Sequence, residues 1–148
     1  MTTDSVRLQL PFIEAGQAQK EWTHNEALAL LDIAVQATVE AVGVDAPPAG
    51  PEPGQCWAVG QAPSGAWAGQ AGAIAGWTDG GWRFVAARTG LAVWSLIDGT
   101  TARYLAGGWR LDRSAPIAVP AGGVTIDTEC RTAVAAILAA LAARGWVG

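Results

Sequence analysis

Charge is scarce in this chain. Of 148 residues only 15% are Asp, Glu, Lys or Arg; there is one lysine, Lys20, one histidine, His24, and a formal net charge of −4. Binding phosphates needs clustered Lys and Arg, so nucleic acid is not expected as a partner. So few charges also leave little to keep a lone surface soluble, which favours a protein that buries surface in an assembly. The two cysteines, Cys56 and Cys130, lie far apart without CxxC spacing, and with a single histidine they do not make a zinc site. Both thiols are expected to be reduced and structural, and no metal or cofactor is expected. No apolar run is long enough to span a bilayer, and Met1-Thr2-Thr3-Asp4 lacks the basic start and apolar core of a signal peptide. Synthesis in the cytoplasm without membrane insertion is the expectation.

Catalytic patterns are equally sparse. The chain has no G-x-S-x-G nucleophile motif and no phosphate loop. His24 falls inside a helix-capping sequence with no acid or nucleophile positioned beside it, so packing is its expected role. Asp79 and Asp98 each precede a glycine at a hairpin turn, and Asp-Gly turn chemistry accounts for both. The chain is not read as an enzyme, and no residue in it is a catalytic candidate.

What the chain has in quantity is apolar surface, with 51% hydrophobic residues, 19 glycines and 8 tryptophans. Thr23-His24-Asn25-Glu26 has the form of a capping box, and no Gly or Pro interrupts the chain until Gly43. The pattern predicts a long helix from about Thr23 to Val42, with Leu28, Leu31, Val35 and Val42 on a seam of three-and-four spacing and a second apolar face behind it. Those four residues are the predicted oligomer interface.

Residues 46–54 carry Pro47, Pro48, Pro51 and Pro53 and are predicted to be a stiff linker and a module boundary. From 55 to 112 the pattern changes to short strands, about six of them, near 55–60, 72–78, 82–87, 91–97, 101–105 and 108–112. An internal repeat runs through this stretch. A shift of 27 residues places Trp67 on Trp94, Trp77 on Tyr104, Trp82 on Trp109 and Arg83 on Arg110. Each copy reads aromatic, tight turn, aromatic, the signature of a hairpin held by a cross-strand aromatic pair. After a second Pro- and Gly-bearing linker, Thr125 or Asp127 caps a last helix, on which Cys130, Val134, Ile137 and Leu141 recur at three-and-four spacing. The predicted fold is α+β, with an N-terminal arm and assembly helix (1–45), a small Trp-rich antiparallel sandwich or barrel (55–112) and a C-terminal helix (124–145).

In so small a sheet most tryptophans are core, but strand alternation turns some outward, and an exposed indole is a platform for the apolar face of a sugar ring. Trp67, Trp77, Trp82 and Trp94 are the candidate carbohydrate-binding residues, and Trp67, in the turn-rich stretch Pro63 to Gly69, is the one expected to be most exposed.

The stretch Leu8-Gln9-Leu10-Pro11-Phe12-Ile13, Gly16-Gln17-Ala18-Gln19-Lys20 and Thr23-His24-Asn25-Glu26, followed by Trp57-Ala58-Val59-Gly60, Ser64-Gly65-Ala66-Trp67 and Gly80-Gly81-Trp82-Arg83-Phe84, resembles a domain of uncharacterised function found in structural proteins of phages and gene transfer agents. The resemblance spans residues 8 to about 111. It implies a tail-fibre or head-spike component of a virus-like particle made in the bacterial cytoplasm, usually a homotrimer, engaged in attachment to the host surface alongside capsid, spike or fibre proteins. With no long repetitive shaft, the chain fits a base or adaptor. A module that binds host capsular or surface polysaccharide is the alternative.

Overall fold

A computed structural model describes residues 4–13, 16, 20–113, 115–124, 127–144 and 146–147. Among these the chain forms two α-helices, α1 (Lys20–Ala34) and α2 (Thr128–Ala143), and eight strands: β1 (Thr38–Val39), β2 (Val42–Val44), β3 (Cys56–Val59), β4 (Ile74–Thr78), β5 (Gly81–Val85), β6 (Ala92–Ser95), β7 (Thr100–Leu105) and β8 (Gly108–Leu111). The class is broadly α+β. Two compact units divide it, the first ending at Arg110 and the second beginning at Leu111.

The six expected strands are all present, at positions close to those expected. The long helix is not. It begins at Lys20, so Thr23 lies inside it rather than capping it, and it ends at Ala34. Two features stop it. The Arg7 guanidinium donates to the carbonyl oxygens of Asp32, Ile33 (3.2 Å) and Gln36 (2.9 Å), occupying acceptors at the helix C-terminus, and Gln36 turns the chain through a left-handed φ of 46°. The β-branched residues that follow, Thr38, Val39, Val42 and Val44, then favour extended chain.

That extended stretch organises the sheets. β1 pairs parallel with β6, and β2 pairs parallel with β3, so one short segment supplies a strand to each of two four-stranded mixed sheets, the first ordered β2-β3-β4-β5 and the second β1-β6-β7-β8. The expectation of one antiparallel sandwich or closed barrel is corrected accordingly: each sheet has a parallel pair, and no barrel closes. Nor is the proline-rich segment 46–54 a module boundary, because it joins β2 to β3, which pair with each other.

The 27-residue repeat survives as matching hairpins. Trp77 pairs with Trp82 across β4 and β5 with ring centroids 4.9 Å apart, and Tyr104 meets Trp109 at 5.4 Å in the β7–β8 hairpin. The turn of the second takes left-handed φ at Ala106 (49°) and Gly107 (81°), as a primed two-residue turn requires. The second hairpin also reaches the first sheet, since the Trp109 indole N–H donates to the Gly72 carbonyl at 2.9 Å.

Period-two alternation gives the first sheet two covered faces. Cys56, Ala58 and Ile74 face a core shared with Ile33 of α1, Ala37, Val39 of β1, Val93 of β6 and Ala102 of β7. Trp57, Val59 and Ala75 face a second cluster with Trp67, Trp77, Trp82 and Phe84. The second unit consists of a stretch without helix or strand over 115–124 and α2, whose first turn is capped by Asp127 accepting from the Cys130 amide at 2.8 Å. Thr125, the other expected cap, lies outside the described residues.

Candidate functional site

A cavity of about 640 Å³ lies between the N-terminal arm, α1 and the β4–β5 hairpin. Its walls exist because the arm is tied down twice. At one end the buried Asp32 carboxylate accepts from the Ser5 hydroxyl (2.8 Å) and from the Arg7 (3.0 Å) and Leu8 (2.5 Å) amides. At the other, the Asn25 side-chain amide accepts from the Ile13 amide (2.9 Å) and donates to its carbonyl (3.0 Å), as a neighbouring strand would. The arm folds back in a turn over residues 6–8, with Asp4 bridged to Pro11.

Phe12, Trp22, Asn25, Glu26, Trp77 and Arg83 line this cavity, whose size lies within the usual range for small-ligand pockets. Glu26, expected to close a capping box, pairs instead with Arg83 Nε at 2.8 Å; both side chains are partly solvated, so the pair contributes about 0–1 kcal/mol. Cys56 forms part of the lining, and burial pushes its thiol from 9.0 up to about 11, with Asp32 and Glu40 reinforcing the rise against the opposing charge of Arg7. The thiol is therefore protonated at neutral pH and a poor nucleophile. Among the described residues there is no group of three or more His, Cys, Asp and Glu arranged to hold a metal ion. The arrangement offers shape, aromatic walls and one ion pair.

The tryptophans divide differently from the expectation. Trp67 is not exposed; its relative exposure is 0%. Asp45 draws the loop that bears it against the sheet, accepting from the Ala62 amide through its carboxylate (2.9 Å) and from the Ser64 amide through its carbonyl (2.8 Å), and the indole fills the space under β3 and β5. Trp67 lies 5.1 Å from Trp82 and 6.2 Å from Trp57, and Trp82 in turn 4.9 Å from Trp77. Three of the four candidate platforms are thus one aromatic cluster, of which only Trp77 and Trp82 keep a partly open edge. Trp94 stands apart on β6, 45% exposed. It borders an open groove of about 660 Å³ with Arg7, Gln36, Thr38 and Thr101.

Residues 24–110, 87 of the 148, match one family model, from within the first helix to the end of the first unit, while the N-terminal arm and Trp22 lie before the matched region. The chain belongs to the DUF2793 family of proteins of unknown function. A search of curated proteins finds no match for it. The DUF2793 region therefore takes in both hairpins, the aromatic cluster and most of α1, while α2 lies beyond it.

Within the DUF2793 region the expected interface seam is broken. Leu28 and Leu31 are on α1, but Val35 follows the helix and Val42 is in β2, packed against the shared core. Leu31 (49%) and Val35 (45%) remain exposed and Leu28 half-buried, so three of the four still present apolar surface, without a common helical register. Trp22, absent from the candidates, is 72% exposed at the cavity mouth. Its position among polar neighbours in the first turns of α1 was the available signal.

Proposed function

We propose that this chain is a structural component of a phage or gene-transfer-agent particle, a spike or fibre base or adaptor that contributes to attachment at the host surface. The observation that carries the reading is the amount of large apolar side chain the chain leaves uncovered: Trp22, Leu31 and Val35 in the first unit, Ile137 and Trp146 in the second. In a chain only 15% charged, such surface fits contacts with other particle proteins. The resemblance of residues 8 to 111 supplies the particle, and with it the homotrimer; Leu28, Leu31 and Val35 are the α1-side residues available to a three-fold contact. The test is to purify particles from a producing strain and search them for this chain by mass spectrometry, then delete its gene and measure adsorption. Particles lacking the chain, or adsorbing equally well without it, refute the proposal.

A second reading is favoured by one observation, the exposed Trp94 indole set among the hydroxyls of Thr38 and Thr101 and the Gln36 amide. Stacking of a pyranose on the indole, with hydrogen bonds around its rim, would make this groove a site for capsular or surface polysaccharide. Host polysaccharide is expected to shift tryptophan fluorescence in the wild type and not in Trp94→Ala; an equal shift in both removes the reading.

A further inference from the structure

No residue of α2 is buried, and from Thr132 to Ala143 it carries no charge on any face. Helices without a polar side are ordinarily enclosed by neighbours. The residues that recur at three-and-four spacing, Cys130, Val134, Ile137 and Leu141, form a two-heptad seam, and Ile137 at its centre is 59% exposed. Alanines flank the seam at 133, 136 and 140, which allows two backbones to approach closely.

The charges at the two ends decide the occupant and its direction. Asp127 and Glu129 stand at the N-terminal end together with Arg131, whose guanidinium donates to the Pro120 and Gly122 carbonyls, and the seam is followed by Arg144 at the C-terminal end. Parallel copies would place acid on acid and arginine on arginine, with the helix dipoles aligned. Antiparallel copies related by a two-fold axis midway between residues 135 and 136 set Val134 opposite Ile137 of the second copy and Cys130 opposite Leu141. The same axis sets Asp127 opposite Arg144, so the register that fills the seam also pairs the charges. A contact that repeats itself across a two-fold axis closes without leaving a free face for further copies.

We infer that α2 is a self-pairing element, which joins two copies of this chain as an antiparallel helix pair through Cys130, Val134, Ile137 and Leu141. This deepens the assembly reading without depending on the particle. A chain absent from particles would leave the helix pair untouched, and a failed helix pair would leave the particle reading untouched. Three-fold contacts of the first unit, where they form, involve other residues.

Cysteine pairing in the full-length protein tests both contact and direction. In the antiparallel pair the two Cys130 residues are eleven positions apart along the axis, about 16 Å, beyond the reach of a disulfide. Cys56 is buried and does not compete. Under mild oxidation Leu141→Cys is expected to yield a covalent dimer, through Cys130 of one copy and the new cysteine of the other, while the wild type does not. The same oxidation in denaturant, and far-UV circular dichroism of the variant, separate a specific pair from random coupling or a lost helix. Ile137→Asp is expected to halve the sedimenting mass of the unmodified protein, and Arg144→Glu to weaken its association several-fold. A wild type that cross-links readily through Cys130 overturns the proposal in favour of parallel helices. A Leu141→Cys protein that stays monomeric in oxidant, with an Ile137→Asp mass equal to wild type, overturns it altogether.

Discussion

Gly76 is where α1 meets the first sheet, and adding a single methyl group there tests how that contact is built. A Cβ at this position would lie 2.5 Å from Ile33 Cδ1, 2.6 Å from Ile33 Cγ1 and 3.3 Å from Cys56 Sγ. The first two distances are far inside van der Waals contact, and Ile33, 3% exposed in the shared core, has little room to retreat. Overpacking of this kind costs about 1–3 kcal/mol. Against it stands a gain of about 0.4–1 kcal/mol from the stiffer unfolded chain, because Gly76 does not use a left-handed φ and alanine tolerates its backbone. Gly76→Ala should therefore change stability by between about 0 and about 2.6 kcal/mol, in the destabilising direction. Ile33→Ala alone should cost about 2–5 kcal/mol, the usual range for emptying a core site. In the double variant the clash is gone and the new methyl enters the vacated space, so the combined loss should fall short of the sum by at least about 1 kcal/mol. Urea unfolding followed by tryptophan fluorescence measures all four proteins. Losses that add to within about 0.5 kcal/mol, the limit for independent sites, would show that the helix does not seat on Gly76.

The arm depends on Asp32. Asp32→Ala strips the shared acceptor from Ser5, Arg7 and Leu8 and should cost about 2–4 kcal/mol, with limited proteolysis now cutting between residues 4 and 13; unchanged protection would refute the tie. Because the folded Cys56 thiol is raised from 9.0 to about 11, its contribution to stability is whole below pH 9 and is lost as pH rises through 11. Wild type should lose on the order of 2–3 kcal/mol more than Cys56→Ala across that window, and equal slopes in the two proteins would contradict the burial. Trp67→Ala empties the centre of the aromatic cluster and should cost about 3–5 kcal/mol with loss of near-UV circular dichroism; a variant within 1 kcal/mol of wild type would mean the indole is not core.

Local residue chemistry was enough to locate much of this fold. The turns at Asp79-Gly80 and Ala106-Gly107, each between an aromatic pair, place both hairpins, because turn conformation depends on the residues inside the turn. The cap at Asp127 is legible for the same reason, since its carboxylate binds an amide three residues away. Residues 22–42 are another matter. They hold no Gly or Pro and their apolar spacing suits a helix throughout, yet the helix stops at Ala34 because Arg7, far back in the chain, occupies its last carbonyls. Thr38 to Val44 then become strands because β3 and β6, 16 and 56 residues further along by the registers Val42 with Ala58 and Thr38 with Trp94, offer free edges. Trp67 followed the same rule. Its glycine-rich loop suggested solvent, and only the Asp45 contacts and the gap beneath the sheet turned the indole inward. Turns and caps are decided over three or four residues, whereas the end of a helix, the partner of a strand and the side on which an indole lies depend on groups that only the folded chain brings together.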